Sequence, residues 1–73
     1  MTVEELINAL QQYDPKLRVA VQGYEGGYSD VSRAEPVELA LNVHDAWYYG
    51  PHDVSDAFHV KPKHTRENAV LIL

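Results

Sequence analysis

An α+β fold is the class this 73-residue sequence predicts: one N-terminal amphipathic helix packed on a three- to four-stranded antiparallel or mixed sheet. Three observations predict it. Val3, Leu6, Ile7 and Leu10 fall at i, i+3, i+4 and i+7, which puts them in one stripe on a helix. Leu17, Val19 and Val21, and again Val37, Leu39, Leu41 and Val43, alternate with more polar neighbours at the period of a strand with one buried face. Ala69 to Leu73 is apolar at every position, as in a central strand covered on both sides.

The helix is the most legible element. Thr2 and Glu5 have the spacing of a capping box, in which each side chain satisfies a free backbone N–H of the first turn. Pro15 disfavours helical geometry at Asp14, so the helix should run from about Thr2 to Tyr13. A strand over residues 17–22 comes next, then a long connection from Gly23 to about Pro36 containing Gly-Tyr-Glu-Gly-Gly-Tyr-Ser-Asp. Its glycines allow backbone angles closed to other residues. The cleanest strand covers residues 37–43. Gly50-Pro51 marks a turn, Phe58 and Val60 suggest a short strand ended by Pro62, and Lys63 to Asn68 reads as a turn before the last strand. The order is α-β-β-β-β within a single domain, residues 1–73, with no repeat or linker.

Composition narrows the function classes. A chain this short buries only about 60% of its unfolded surface, so self-association or a ligand is a natural source of extra stability. It has no cysteine, which excludes disulfides and thiolate zinc sites. The formal charge of −5 argues against general nucleic-acid binding, where phosphates need clustered Lys and Arg. The basic side chains are concentrated late in the chain, where Lys61, Lys63 and Arg66 face Glu67 alone. Met1 leads straight into an acidic amphipathic segment without a leader pattern, and no apolar run nears the roughly 20 residues of a membrane span. A cytoplasmic location with no membrane partner is the expectation.

Candidate chemistry is sparse. The glycine-rich stretch matches neither dinucleotide nor P-loop fingerprints, and Glu25 and Asp30 would repel an anion. A long turn with Tyr24 and Tyr28 packed over a sheet edge is the expected structure there. Trp47, Tyr48 and Tyr49 are consecutive, so a strand could not turn all three into one core, and at least one should be exposed or at an interface. Tyr and Trp anchor protein interfaces and stack on bases. His44-Asp45 and His52-Asp53 invite a metal-dependent reading, but His44, His52, His59 and His64 lack the i, i+4 spacing of a helical zinc site. The three serines, Ser29, Ser32 and Ser55, lie outside any nucleophile-elbow context. An enzyme is not expected, nor is a cofactor.

The opening Thr-Val-Glu-Glu-Leu-Ile with Leu10, the Asp14-Pro15 step, the Val19-x-Val21 strand, the Gly23 to Tyr28 stretch and the terminal Ala-Val-Leu-Ile together resemble a class of short bacterial and phage proteins carried on prophages and mobile elements. The resemblance spans most of the chain and brings no catalytic residue. It implies a small accessory protein that acts by binding and blocking, for instance against host defence. The leading expectation is a non-catalytic binding protein, a homodimer or larger homo-oligomer, that captures a host protein or a small anionic or nucleotide ligand. Tyr24, Tyr28, Trp47, Tyr48 and Tyr49 would supply anchoring or stacking, and Lys61, Lys63 and Arg66 the anion contacts. The alternatives are a small metal-dependent hydrolase using His44, Asp45, His52 and Asp53, and a structural or assembly protein of a phage particle.

Overall fold

The capping box forms as its spacing requires. In the computed structural model, which describes residues 1–73, the Glu5 backbone N–H donates to Thr2 Oγ1 at 3.2 Å and the Thr2 N–H donates to Glu5 Oε1 at 3.0 Å. Helix α1 spans Val3–Leu10, with Glu4 and Glu5 in the first turn, where negative charge offsets the helix dipole. It stops short of the expected Tyr13. Gln11 caps it, the Tyr13 N–H donates to the Leu10 carbonyl, and Asp14 Oδ1 accepts from the Lys16 N–H at 2.8 Å. That side-chain turn competes with helical backbone bonds and turns the chain at Pro15.

Five short strands follow, arranged in two sheets rather than the single sheet expected. Strands β1 (Ala20–Gln22) and β2 (Tyr28–Asp30) form an antiparallel hairpin, with Ala20 opposite Asp30 and Gln22 opposite Tyr28. Strands β3 (Ala34–Ala40), β4 (Asp53–Val54) and β5 (Arg66–Ile72) form the second sheet, in the order β4-β3-β5. β4 is antiparallel to β3. The Leu41 N–H donates to the Thr65 carbonyl, so the end of β3 lies beside the start of β5 and that pair is antiparallel too. The α+β class therefore stands, with sheets of two and three strands.

Several boundaries differ from the sequence expectation. The stretch from Gly23 to Pro36 is not one long connection, because β2 and the start of β3 lie inside it. Three of the five loop residues between β1 and β2 have positive φ: Glu25 at 61°, Gly26 at 133° and Gly27 at 65°. β3 begins at Ala34 and runs through Pro36. Its even-numbered residues direct backbone groups toward β4, as the Ser55 N–H to Glu38 carbonyl bond shows, and β4 reaches only Leu39 and Ala40. The missing N–H of Pro36 therefore falls where β3 has no strand neighbour, which is the setting in which a strand tolerates proline. Asn42, at φ 55°, takes the left-handed conformation that asparagine adopts more readily than most residues. The short strand expected at Phe58 to Val60 is absent, since that segment is a turn and β4 lies earlier. β5 starts at Arg66, inside the expected turn, and is an edge strand rather than a central one.

The chain divides into two compact units, Met1–Arg33 with Ile72–Leu73, and Ala34–Leu71. In the first, α1 and the β1–β2 hairpin are joined by the Asp14-Pro15 turn, and the Leu73 carbonyl accepts from the backbone N–H groups of Ser32 and Arg33. In the second, the period-two pattern is visible as burial: Glu35, Val37, Leu39, Leu41 and Val43 are half-buried, while Pro36, Glu38 and Asn42 are exposed. Ala40, opposite Asp53, is the one residue wholly shielded from solvent. No helix is long and apolar enough to cross a membrane.

Candidate interaction surface

The second unit carries exposed aromatic side chains on tight turns. Beyond β3 the chain makes an excursion from Asn42 to Asp53 and returns as β4, and its neck is held by four hydrogen bonds. The Val43 and His44 N–H groups both donate to the Pro51 carbonyl, at 2.7 and 3.0 Å. The Asn42 N–H donates to His52 Nδ1 at 3.0 Å, which requires that nitrogen to be unprotonated. His44 Nε2 and Asp53 Oδ2 lie 2.7 Å apart, a charge-assisted length, with both side chains about four-fifths shielded.

The hydrogen bond from His44 is the first cause holding the Asp53 carboxyl below the usual aspartate range. The Val54 N–H donating to Asp53 Oδ1 at 2.8 Å acts in the same direction, as does the nearby charge of His44 and His59. The two His-Asp dipeptides of the sequence thus fold crosswise. His44 of the first meets Asp53 of the second, Asp45 stays exposed, and His52 serves the Asn42 backbone. No three His, Cys, Asp or Glu side chains gather in a way that could hold a metal ion.

Inside the excursion the Tyr49 N–H donates to the Ala46 carbonyl at 3.1 Å, closing a four-residue turn. Trp47 and Tyr48 are its central residues and project outward, 94% and 75% exposed, with their rings edge to face at 5.6 Å. Tyr49 turns back, and its ring meets His44 edge-on at 4.5 Å. A second turn, closed by the Val60 N–H to Ala57 carbonyl bond, carries Phe58 and His59 at its centre. Phe58 is 91% exposed and lies edge-on to His59, whose ring is 5.6 Å from that of His44. His44 therefore links both turns: Tyr49 on one side and His59 on the other.

A third turn spans Lys61 to His64, closed by the His64 N–H to the Lys61 carbonyl and by the Lys61 N–H to His64 Nδ1 at 2.9 Å. Arg66 Nη1 donates to the His64 carbonyl at 2.9 Å and to the Lys61 carbonyl at 3.5 Å. Arg66 is thus partly engaged in shaping this turn, while Lys61 and Lys63 are exposed.

The sequence-predicted residues are distributed across both units. Trp47, Tyr48, Tyr49, Lys61, Lys63 and Arg66 belong to the second. Tyr24 and Tyr28 belong to the first, in and beside the hairpin loop, and both are more than four-fifths exposed rather than packed over a sheet edge. Phe58 was not among the predicted site residues, because an apolar pair with one residue between reads as a strand. The dipeptide Phe58-His59 between Ala57 and Val60 has no glycine or proline to mark a turn. No known family matches the chain, and no curated protein and no solved structure matches it either.

Proposed function

We propose that this is a small non-catalytic binding protein whose aromatic turns, bearing Trp47, Tyr48 and Phe58, anchor it to a protein partner. The observation that carries the reading is Trp47 and Tyr48 at the centre of a turn whose neck is held by hydrogen bonds, with almost none of the indole surface used in the fold. Exposed large aromatics on a pre-shaped loop offer contact area at low cost in side-chain entropy, the property that makes Tyr and Trp common binding hot spots. The resemblance to short phage and mobile-element proteins supports a host protein as the target, in the cytoplasm, with a role against host defence.

Capture of a small anionic ligand has less support. A drug-sized ligand needs a concavity that encloses most of its surface. The grooves along α1 and β1, lined by residues such as Ile7, Leu10, Leu17 and Val19, include none of Tyr24, Tyr28, Trp47, Tyr48, Tyr49, Lys61, Lys63 or Arg66.

The test is affinity capture from host extract with the intact chain and with the Trp47→Ala/Tyr48→Ala double variant. A partner retained by the first and lost by the second, while the two have the same circular dichroism spectrum, supports the reading. Equal capture by both would remove the aromatic turn from the binding surface.

A further inference from the structure

We propose that the chain forms a two-fold dimer through its first unit, by antiparallel pairing of β1 with β1 of a second copy. The argument starts from hydrogen-bond parity. The Val31 N–H donates to the Val19 carbonyl and the Gly23 N–H to the Gly27 carbonyl, so residues 19, 21 and 23 direct their backbone groups at β2. Ala20 and Gln22 then direct theirs away from it. Both belong to a two-stranded sheet, so β1 has no strand on its outer side. The hairpin's other edge is treated differently: the outward N–H of Ser32, just past β2, donates to the Leu73 carbonyl. β2 also has no strand on its outer side, but the chain's own backbone crosses the end of that edge at Ser32, whereas no backbone bond is made along the β1 edge.

Apart from its length of three residues, the open edge lacks the usual guards. It carries no proline, no bulge and no lysine, and Arg18 beside it is turned to Asp30, 3.4 Å away. It is also self-complementary. A two-fold axis through Val21 sets Ala20 of each copy opposite Gln22 of the other, and those are the residues whose N–H and C=O groups point outward. Four backbone hydrogen bonds form across the axis, and Val21 faces its own copy as the closely spaced, non-hydrogen-bonded pair. A two-fold interface closes on itself, so pairing stops at two copies.

The apolar surface beside the edge matches the size a dimer needs. Val3, Ile7, Leu10, Tyr13, Leu17, Val19 and Val21 are each about 40–65% exposed in this unit. At about 90 Å² apiece they offer about 600 Å², close to the roughly 800 Å² that each partner contributes to a standard interface. Val19 and Val21 point to the same face of β1, so the joined four-stranded sheet continues one apolar floor from copy to copy.

Cross-linking tests this directly, because the chain has no cysteine. Non-hydrogen-bonded antiparallel pairs have Cα atoms about 4.5 Å apart, within disulfide range. In mild oxidant the Val21→Cys variant of the full chain should become a covalent dimer at least tenfold faster than Ser29→Cys, which lies on β2. In sedimentation velocity the unmodified protein should run as a dimer. Gln22→Pro, which removes an outward N–H that bonds nothing inside the unit, should run as a monomer with its circular dichroism unchanged. A monomeric unmodified protein overturns the proposal, as does a dimer in which Val21→Cys cross-links no faster than Ser29→Cys. If Gln22→Pro unfolds, the cross-linking rates alone decide.

Discussion

Trp47→Ala is the substitution that separates a binding aromatic from a structural one. Trp47 is 94% exposed, so folding removes only about 15 Å² of its surface from water, worth about 0.4 kcal/mol at about 25 cal/mol per Å². The edge-to-face contact with Tyr48 adds about 0.5–1 kcal/mol, reduced here because both rings are in water. The summed loss in stability is about 1 kcal/mol, against about 3–5 kcal/mol for truncating a core tryptophan. Urea denaturation followed by circular dichroism measures it as a shift in midpoint at constant slope. The chain has a single tryptophan, so its fluorescence reports the same site independently. The native emission should already be that of a hydrated indole, quenched freely by acrylamide and little changed on unfolding. A loss above about 3 kcal/mol, or a native emission well to the blue of the unfolded chain, would refute the reasoning. It would mean that the indole is buried in the folded protein in solution.

Three further predictions follow from local geometry. Thr2→Ala removes the half of the capping box in which Thr2 Oγ1 accepts from the Glu5 N–H, leaving the backbone N–H of residue 2 to Glu5 Oε1, and should lower stability by about 1 kcal/mol, read as a fall in midpoint together with reduced helical signal. Gly23→Ala places a methyl group 2.7 Å from the Gly26 carbonyl oxygen, and that atom belongs to backbone in a five-residue loop with little room to move. It should cost about 1–3 kcal/mol, the usual range for overpacking, whereas Gly50→Ala, where a methyl group meets nothing within 4 Å, should be close to neutral. The carboxyl of Asp53 is held below its unfolded value, so its contribution to stability is present above the unfolded pKa and is lost as the pH falls through the folded one. Acid unfolding of Asp53→Asn should show a shallower dependence in that window, and an unchanged profile would remove the His44–Asp53 pair as a stabilising contact.

The legible parts of the fold were those encoded by near neighbours. Thr2, Glu5 and the stripe from Val3 to Leu10 announce a helix and its start, because capping and periodicity act within one or two turns. The same holds for the alternation through Val37, Leu39, Leu41 and Val43, which survives as burial even though the strand itself is displaced toward Ala34. The exposure of at least one of Trp47, Tyr48 and Tyr49 was legible from their adjacency alone, and Trp47 and Tyr48 are in fact the most exposed of the three.

What the tertiary structure alone decided depends on pairing between distant residues. Pro36 sits inside a strand because β4 is too short to need its N–H, a fact about a neighbour seventeen or more residues away. Crossing His44 with Asp53, rather than leaving two His-Asp pairs, depends on where the 42–53 excursion closes, and backbone bonds to Pro51 set that. Arg66 is drawn to two carbonyls of the Lys61–His64 turn, which a charge count cannot anticipate. Short-range chemistry determines which segments are helix or strand and which side chains a turn can carry. Strand order, edges and ion-pair partners are set by contacts between residues far apart in the chain, whose closure the local pattern does not encode.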